Sequence, residues 1–149
     1  KDEKWNFNYP NVKDEIPVSE FESYGNGKAL TIITYGNGLY LSLQAQKEIE
    51  NKLKKKIKVI DLRWLSNIDI PKLMKAISTC ENVLVVDECR RTGCHGEGLV
   101  TQLVGELKKP INIKLHAAED SFISLGIAAT ATLPSKESII QKALELVNG

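Results

Sequence analysis

Neither sign of charge dominates this sequence: 20 Lys and Arg stand against 19 Asp and Glu, a formal net charge of +1 over 149 residues. That balance lacks the basic footprint nucleic-acid binding needs and the polybasic patch that holds a protein on an anionic membrane, so neither partner is expected. Long apolar runs are also missing. No stretch approaches the roughly 20 apolar residues a spanning helix requires, and no basic-then-apolar secretory start opens the chain. Cysteine is scarce and odd in number: Cys80, Cys89 and Cys94 supply no paired framework, which suits a reducing, cytoplasmic compartment. Histidine is limited to His95 and His116. The C-x4-C-H run of Cys89, Cys94 and His95 matches no standard zinc spacing and has no evident fourth ligand, so no metal site is expected. The thiols read instead as small buried or half-buried side chains.

What is present is a core. Hydrophobic residues make up 42% of the chain, and a domain of this length buries roughly 68–70% of the surface its unfolded form exposes. One domain is the natural reading. The first 28 residues differ from the rest: residues 1–14 mix charge, Asn and aromatics without period, residues 16–22 suggest a short strand, and Tyr24-Gly25-Asn26-Gly27 is turn chemistry. Pro17 has no amide to donate, so that strand belongs at a sheet edge. The chain opens at Lys1 without Met, and these residues read as a connector from a preceding domain, with a second unit at 29–149.

From residue 29 a regular alternation runs. Residues 29–35, 57–62, 83–86 and 111–115 are β-branched or continuously apolar, as strands covered on both faces are. Residues 39–55, about 71–79, 96–107 and 135–147 carry apolar residues at helical spacing. Asp69 and Ser135 are placed to cap their helices, Pro71 suits a first turn, and Ser138 is not expected to complete a capping box with Ser135. Strands alternating with helices imply right-handed crossovers and a three-layer α/β/α domain with a mostly parallel sheet.

Ligands of open α/β sheets gather beyond the carboxyl ends of the strands. Here those ends read Tyr35-Gly36-Asn37-Gly38, Asp61-Leu62-Arg63-Trp64, Asp87-Glu88-Cys89-Arg90-Arg91-Thr92-Gly93 and His116-Ala117-Ala118-Glu119-Asp120. Gly36-Asn37-Gly38 fits a phosphate cradle less well than a strand-to-helix turn, because neither a G-x-G-x-x-G nor a Walker sequence surrounds it. Asp61 and Arg63 suit a substrate carboxylate less well than an ion pair fixing two loops. Arg90 and Arg91 could grip an anion, pair with Glu88, or meet carboxylates of another subunit. Thr92-Gly93 reads as a turn before a helix. His95 titrates in the right range for acid–base work, but no Asp or Asn is placed by sequence to orient its ring. Trp64 is either an interface anchor or a core residue. The rim holds no self-contained catalytic set.

Three ordered stretches carry a resemblance: Thr31-Ile32-Ile33-Thr34-Tyr35-Gly36, then Val59-Ile60-Asp61-Leu62-Arg63-Trp64-Leu65-Ser66, then Val85-Val86-Asp87-Glu88-Cys89-Arg90-Arg91-Thr92-Gly93. With the later Ala118-Glu119-Asp120-Ser121-Phe122 and Leu133-Pro134-Ser135, the chain resembles the C-terminal domain of the transketolase superfamily over about 120 residues. It is most similar to the β subunit, or β half, of thiamine-diphosphate-dependent 2-oxoacid dehydrogenases of the pyruvate and branched-chain type. The resemblance implies a five-stranded sheet with four parallel strands and one antiparallel edge strand. It also implies that thiamine diphosphate, magnesium and the catalytic residues belong to other domains, so that this chain has no catalytic, cofactor-binding or metal-binding residue and is inactive alone. Its expected role is assembly: contacts with other domains and subunits through Asp61, Arg63, Trp64, Glu88, Arg90, Arg91 and Thr92, docking of a lipoyl acyltransferase core, and self-association as a homodimer. The compartment would be the cytoplasm, or the mitochondrial matrix in a eukaryote.

The sequence departs from that pattern in places. Asn67 stands where many relatives have Pro, and Cys94-His95 replaces Gly-Phe or similar. Lys108-Lys109-Pro110 stands where some pyruvate enzymes carry an acidic residue for core docking; a cationic pair there would repel a basic partner. A transketolase or deoxyxylulose-phosphate synthase, and a stand-alone non-catalytic interaction module, are the alternative readings.

Overall fold

The computed structural model describes residues 10–149. Five strands form one sheet in the order β1-β3-β2-β4-β5, where β1 is Glu22–Tyr24, β2 Thr31–Thr34, β3 Lys58–Asp61, β4 Asn82–Arg90 and β5 Asn112–Ala118. β1 runs antiparallel to β3, and every other pairing is parallel. The expected five-stranded mixed sheet with one antiparallel edge strand is the observed one.

Four helices cover its faces. α1 (Asn37–Leu53) and α4 (Lys136–Asn148) lie on one, over Leu30, Ile32, Val59, Leu84 and Val86. α2 (Ile70–Ile77) and α3 (His95–Glu106) lie on the other, over Ile33, Ile60, Val83 and Val85. Successive strand residues therefore feed opposite cores, which is why these strands are apolar throughout instead of alternating. Asp69 caps α2 as expected, its carboxylate accepting from Lys72 N at 2.9 Å, with Pro71 in the first turn. At Gly27 the chain passes so close to the turn before β3 that an added Cβ would lie 2.0 Å from the Lys56 carbonyl.

Several boundaries move. The edge strand falls at Glu22–Tyr24, not at 16–22; Pro17 lies outside it, its carbonyl accepting from Glu20 N at 3.1 Å in a turn. β4 runs on to Arg90 because β5 continues beside it to Ala118, with an irregularity between Asp87 and Arg90. His116 and Ala117 thus lie inside the sheet instead of on the rim. Ser135 caps α4 with a partner after all: Ser138 N donates to Ser135 Oγ at 3.1 Å, and Ser135 N to Ser138 Oγ at 2.9 Å. A serine hydroxyl here does the reciprocal work usually given to Glu or Gln. A short 3-10 helix, Gly126–Ala131, precedes α4 where no element is expected from the sequence.

Candidate functional site

The strand order creates one switch point. β2 leaves for α1 on one face, while its neighbour β4 leaves for α3 on the other, so a crevice is expected between their carboxyl ends. Here the chain's own side chains close it. Tyr35 at the end of β2 donates its hydroxyl to Asp87 Oδ1 on β4 at 2.7 Å. Cys89 N donates to the same oxygen at 2.8 Å, and Gly96 N at the start of α3 donates to Oδ2 at 2.7 Å. Asp87 is 1% exposed. Its position at the first turn of α3 is favourable for an anion, and it needs Gly96: a Cβ there would stand 3.1 Å from Asp87 Oδ2 and 2.8 Å from Leu115 Cδ1. Burial pushes the Asp87 pKa up, but the Cys89 amide, the Tyr35 hydroxyl and the Gly96 amide together hold it below the ordinary carboxylate value. Burial and donation to Asp87 push the Tyr35 hydroxyl far up.

The first turn of α1 closes the other side. Gly36 has φ +57°, and a Cβ on Gly38 would fall 2.2 Å from Thr34 Oγ1. The Gly36-Asn37-Gly38 segment is thus a turn packed onto its own strand. The Glu88 carboxyl is held above its ordinary pKa by burial and by the neighbouring Asp87 charge, against the opposing effect of Asn37.

At the end of β3, Arg63 Nε donates to the buried carboxylate of Asp61 at 2.6 Å, and Arg63 Nη2 to the hydroxyl of Tyr24 on β1 at 3.4 Å. The pair fixes the loop to the edge strand. Arg63 does this from φ +56°, a backbone conformation that L-residues other than Asn and Asp seldom adopt. Trp64 beside it is 39% exposed. Asp61 is only 5% exposed, so the exposed side chains of this loop are Arg63 and Trp64.

At the end of β4 and just past it, Arg90 and Arg91 are exposed and join no ion pair among the described residues; of the alternatives open to them, pairing with Glu88 does not form. Thr92 binds Asp120 twice, N to Oδ1 at 2.8 Å and Oγ1 to Oδ2 at 2.6 Å. These bonds, with the Arg90 and Arg91 charges, hold the Asp120 carboxyl below its ordinary pKa. Gly93 N donates to Glu97 Oε2 at 2.8 Å, and Cys94 Sγ caps α3 by accepting from Glu97 N at 3.3 Å. Burial pushes the Cys94 thiol pKa up, the opposite of what a nucleophile needs.

His95 meets Tyr35 edge-to-face at 6.0 Å between ring centroids, and its buried Nε2 has no hydrogen-bond partner among the described residues. It lines an open cleft of about 640 Å³ with Leu65, Asn67, Ile68, Cys94 and Gln102. Among the described residues no carboxylate hydrogen-bonds the ring. His116 bonds Ser138 Oγ at 2.8 Å, tying β5 to the cap of α4, and burial with the nearby Lys142 lowers its pKa. Among the described residues no group of three or more His, Cys, Asp and Glu is placed to hold a metal ion. Neither the switch-point carboxylate, which already accepts from three of the chain's own donors, nor Gly38, packed against Thr34 Oγ1, is arranged to hold thiamine diphosphate with magnesium.

One surface that sequence reasoning misses is the segment after β5. Phe122, Leu125 and Ile127 are 97%, 94% and 89% exposed. The available signal is Phe-Ile-Ser-Leu-Gly-Ile-Ala, an apolar run that fits no element.

These features define a class: a doubly wound α/β domain whose rim is fixed by its own hydrogen bonds and by the Arg63–Asp61 ion pair. The Transketolase, C-terminal domain family model matches residues 21–128. The chain belongs to that family. It is 31% identical over 149 aligned positions to a pyruvate dehydrogenase E1 component subunit beta from Staphylococcus aureus, covering 92% of this chain and 45% of that subunit. A subunit of the same name from Staphylococcus epidermidis is 30% identical, covering 91% and 44%. The chain thus spans somewhat under half the length of these curated relatives. Among solved structures, the inactive beta4 tetramer of a split-gene transketolase superposes with a TM-score of 0.78 at 19% identity, covering 93% of this chain and 46% of that one. A 2-oxoglutarate:ferredoxin oxidoreductase from Magnetococcus marinus gives 0.60 at 18% identity, covering 86% and 20%. Both structural likenesses concern the fold.

Proposed function

We propose that this chain is the C-terminal assembly domain of the decarboxylating component of a thiamine-diphosphate-dependent 2-oxoacid dehydrogenase, which oxidatively decarboxylates a 2-oxoacid and passes the acyl group to lipoamide. The observation that carries the reading is the likeness to pyruvate dehydrogenase beta subunits across nine-tenths of the chain. The closed switch-point crevice supports the division of labour: the cofactor supplies the chemistry elsewhere, and this domain supplies surfaces. Arg63, Trp64, Arg90, Arg91 and Thr92 are its outward contacts, with Asp61 and Glu88 holding the loops beneath them. Its partners are other domains or subunits of the same enzyme and the lipoyl acyltransferase core, and its three free thiols suit the cytoplasm.

Two measurements test this. Calorimetry of the chain with thiamine diphosphate and magnesium should give no micromolar binding. The complete reading frame that contains this chain, expressed with its partner subunit, should reductively acylate lipoamide from pyruvate or a branched-chain 2-oxoacid. Ketol transfer between phosphorylated sugars by that longer protein, or turnover by the present chain alone, would overturn the reading.

A further inference from the structure

The fold treats the three cysteines unequally. Cys80 is 3% exposed and bonded to the Thr31 hydroxyl at 2.7 Å, where β2 begins. Cys89 and Cys94 lie at the opposite end of the sheet, where β4 passes into α3. Cys89 is exposed there, and Cys94 is buried at the helix cap.

The connection between these two thiols returns on itself. Gly93 stands at φ +75°, Arg91 N donates to Ala118 O at 3.0 Å, and Thr92 is held by Asp120. Both ends of the return are bound to one carboxyl group. Cys89 N donates to Asp87 Oδ1 at 2.8 Å, and Gly96 N, two residues beyond Cys94, donates to Oδ2 at 2.7 Å. Cys89 and the cap of α3 thus meet across the width of a single carboxylate. Charge registers the same proximity. Burial first, and the Asp87 charge with it, pushes the Cys94 thiol pKa up. Burial and Asp87 first, and Cys89 after them, push up the Tyr35 hydroxyl, which donates to that carboxylate.

Cys94 is also an unusual cap. Its Sγ accepts from Glu97 N at 3.3 Å, work that Ser, Thr, Asp or Asn does better. Capping therefore does not account for a sulfur at this position; a second sulfur one short loop away does.

We propose that Cys89 and Cys94 are an oxidisable thiol pair that closes as a disulfide across Arg90-Arg91-Thr92-Gly93 when the chain meets a peroxide, locking the cap of α3 to the end of β4. Cys89, open to solvent, reacts first. Its thiolate sulfur takes one oxygen of hydrogen peroxide, the O–O bond breaks, and the released hydroxide leaves as water with a proton. The Cys94 sulfur then attacks the Cys89 sulfenic acid: the S–S bond forms, the S–O bond breaks, and the hydroxyl leaves as a second water with the Cys94 proton. Two thiols lose two electrons and two protons, and one peroxide becomes two waters. Burial shields Cys94 from the oxidant, while its attack on a neighbouring sulfur is intramolecular and needs no high thiolate population. A bond formed transiently from resting thiols suits a reducing compartment. This pairing is separate from the assembly role proposed above, and mass mapping decides it whatever the lipoamide assay returns.

Hydrogen peroxide added to the reduced native chain, followed by alkylation and peptide mass mapping, should give one cross-link, Cys89 to Cys94. The intact chain should be lighter by its two thiol hydrogens and restored by dithiothreitol, with Cys80 still reduced. Cys89→Ser should lose the link and leave Cys94 reduced. Cys94→Ser keeps a good cap, so the fold is retained; there oxidation should stop at the Cys89 sulfenic acid, which dimedone traps. Hydrogen exchange at the Glu97 amide, which Cys94 caps, should slow in the oxidised chain. Cys89 driven past the sulfenic acid while Cys94 stays reduced, a Cys89 link between two chains, Cys80 reacting first, or an unchanged exchange rate at Glu97 would each overturn the proposal.

Discussion

Two stretches of the same sheet rim solve opposite problems. Between β2 and β4, one buried carboxylate, Asp87, accepts from three of the chain's own donors, the Tyr35 hydroxyl and the Cys89 and Gly96 amides. After β5, apolar side chains stand in water and the backbone of residues 122–124 has no partner among the described residues. In open α/β sheets the switch point is the usual place for a small molecule. Here it has become a fastener for the domain itself, and the exposed apolar side chains lie at the periphery, after β5.

The comparison breaks most easily at Asp87. Asp87→Ala strips the acceptor from Cys89 N, Gly96 N and the Tyr35 hydroxyl in a site that water does not reach. It should cost about 3–5 kcal/mol, because each stranded buried donor carries its own desolvation penalty. Asp87→Asn keeps one acceptor oxygen and should cost about half as much. Urea unfolding read by circular dichroism measures both. A loss under about 1 kcal/mol for Asp87→Ala would mean that the crevice is not a fastener, and the contrast with the segment after β5 would fail.

Arg63 gives a smaller effect and sharpens the question of what the rim's ion pair does. Arg63→Ala leaves Asp61 buried without its cation and should cost about 1–2 kcal/mol, reduced from the fully buried case because Arg63 is partly solvated. Arg63→Gly loses the same pair but adopts φ +56° without a Cβ clash. It should therefore be more stable than Arg63→Ala by about 1 kcal/mol. Equal stabilities of the two variants in the same unfolding measurement would show that the backbone at Arg63 stores no strain.

Which parts are legible in the sequence follows from the range of the interactions. The continuous apolar strands and Asp69 as a cap can be read because the signals are local and periodic. The Asp61–Arg63 pair is also within reach, two residues apart on one loop. The Tyr35–Asp87 bond joins residues 52 apart and depends on β4 lying beside β2, which pattern alone does not dictate. The continuation of β4 and β5 past their apolar runs is hidden for the same reason: Asp87 and His116 look like loop residues until the neighbouring strand is known. Ser138 escapes notice as a capping partner because a hydroxyl at that position is a weak signal. The segment after β5 is hidden for a different cause, since its hydrophobes fit neither period and exposure cannot be read from composition.

The smallest effect concerns Glu88, which sits where the two stretches of rim meet. Burial and the adjacent Asp87 charge raise its pKa against the pull of Asn37. A carboxyl whose folded pKa lies above its unfolded one binds its proton more tightly in the folded state. Stability therefore falls as pH rises from the ordinary Glu value, about 4.3, to the raised folded value, and is level above it. Glu88→Gln removes that slope and should be the more stable protein at pH 7 by less than about 1 kcal/mol, with the difference narrowing as pH drops through the window. In an Asp87→Asn background the raising charge is gone, so the effect of Glu88→Gln should shrink further. Stability–pH curves of the parent chain and the Glu88→Gln variant that run parallel from about pH 4 to 7, with a constant offset, would show that the crevice charges are not coupled and that its closure rests on hydrogen bonding alone.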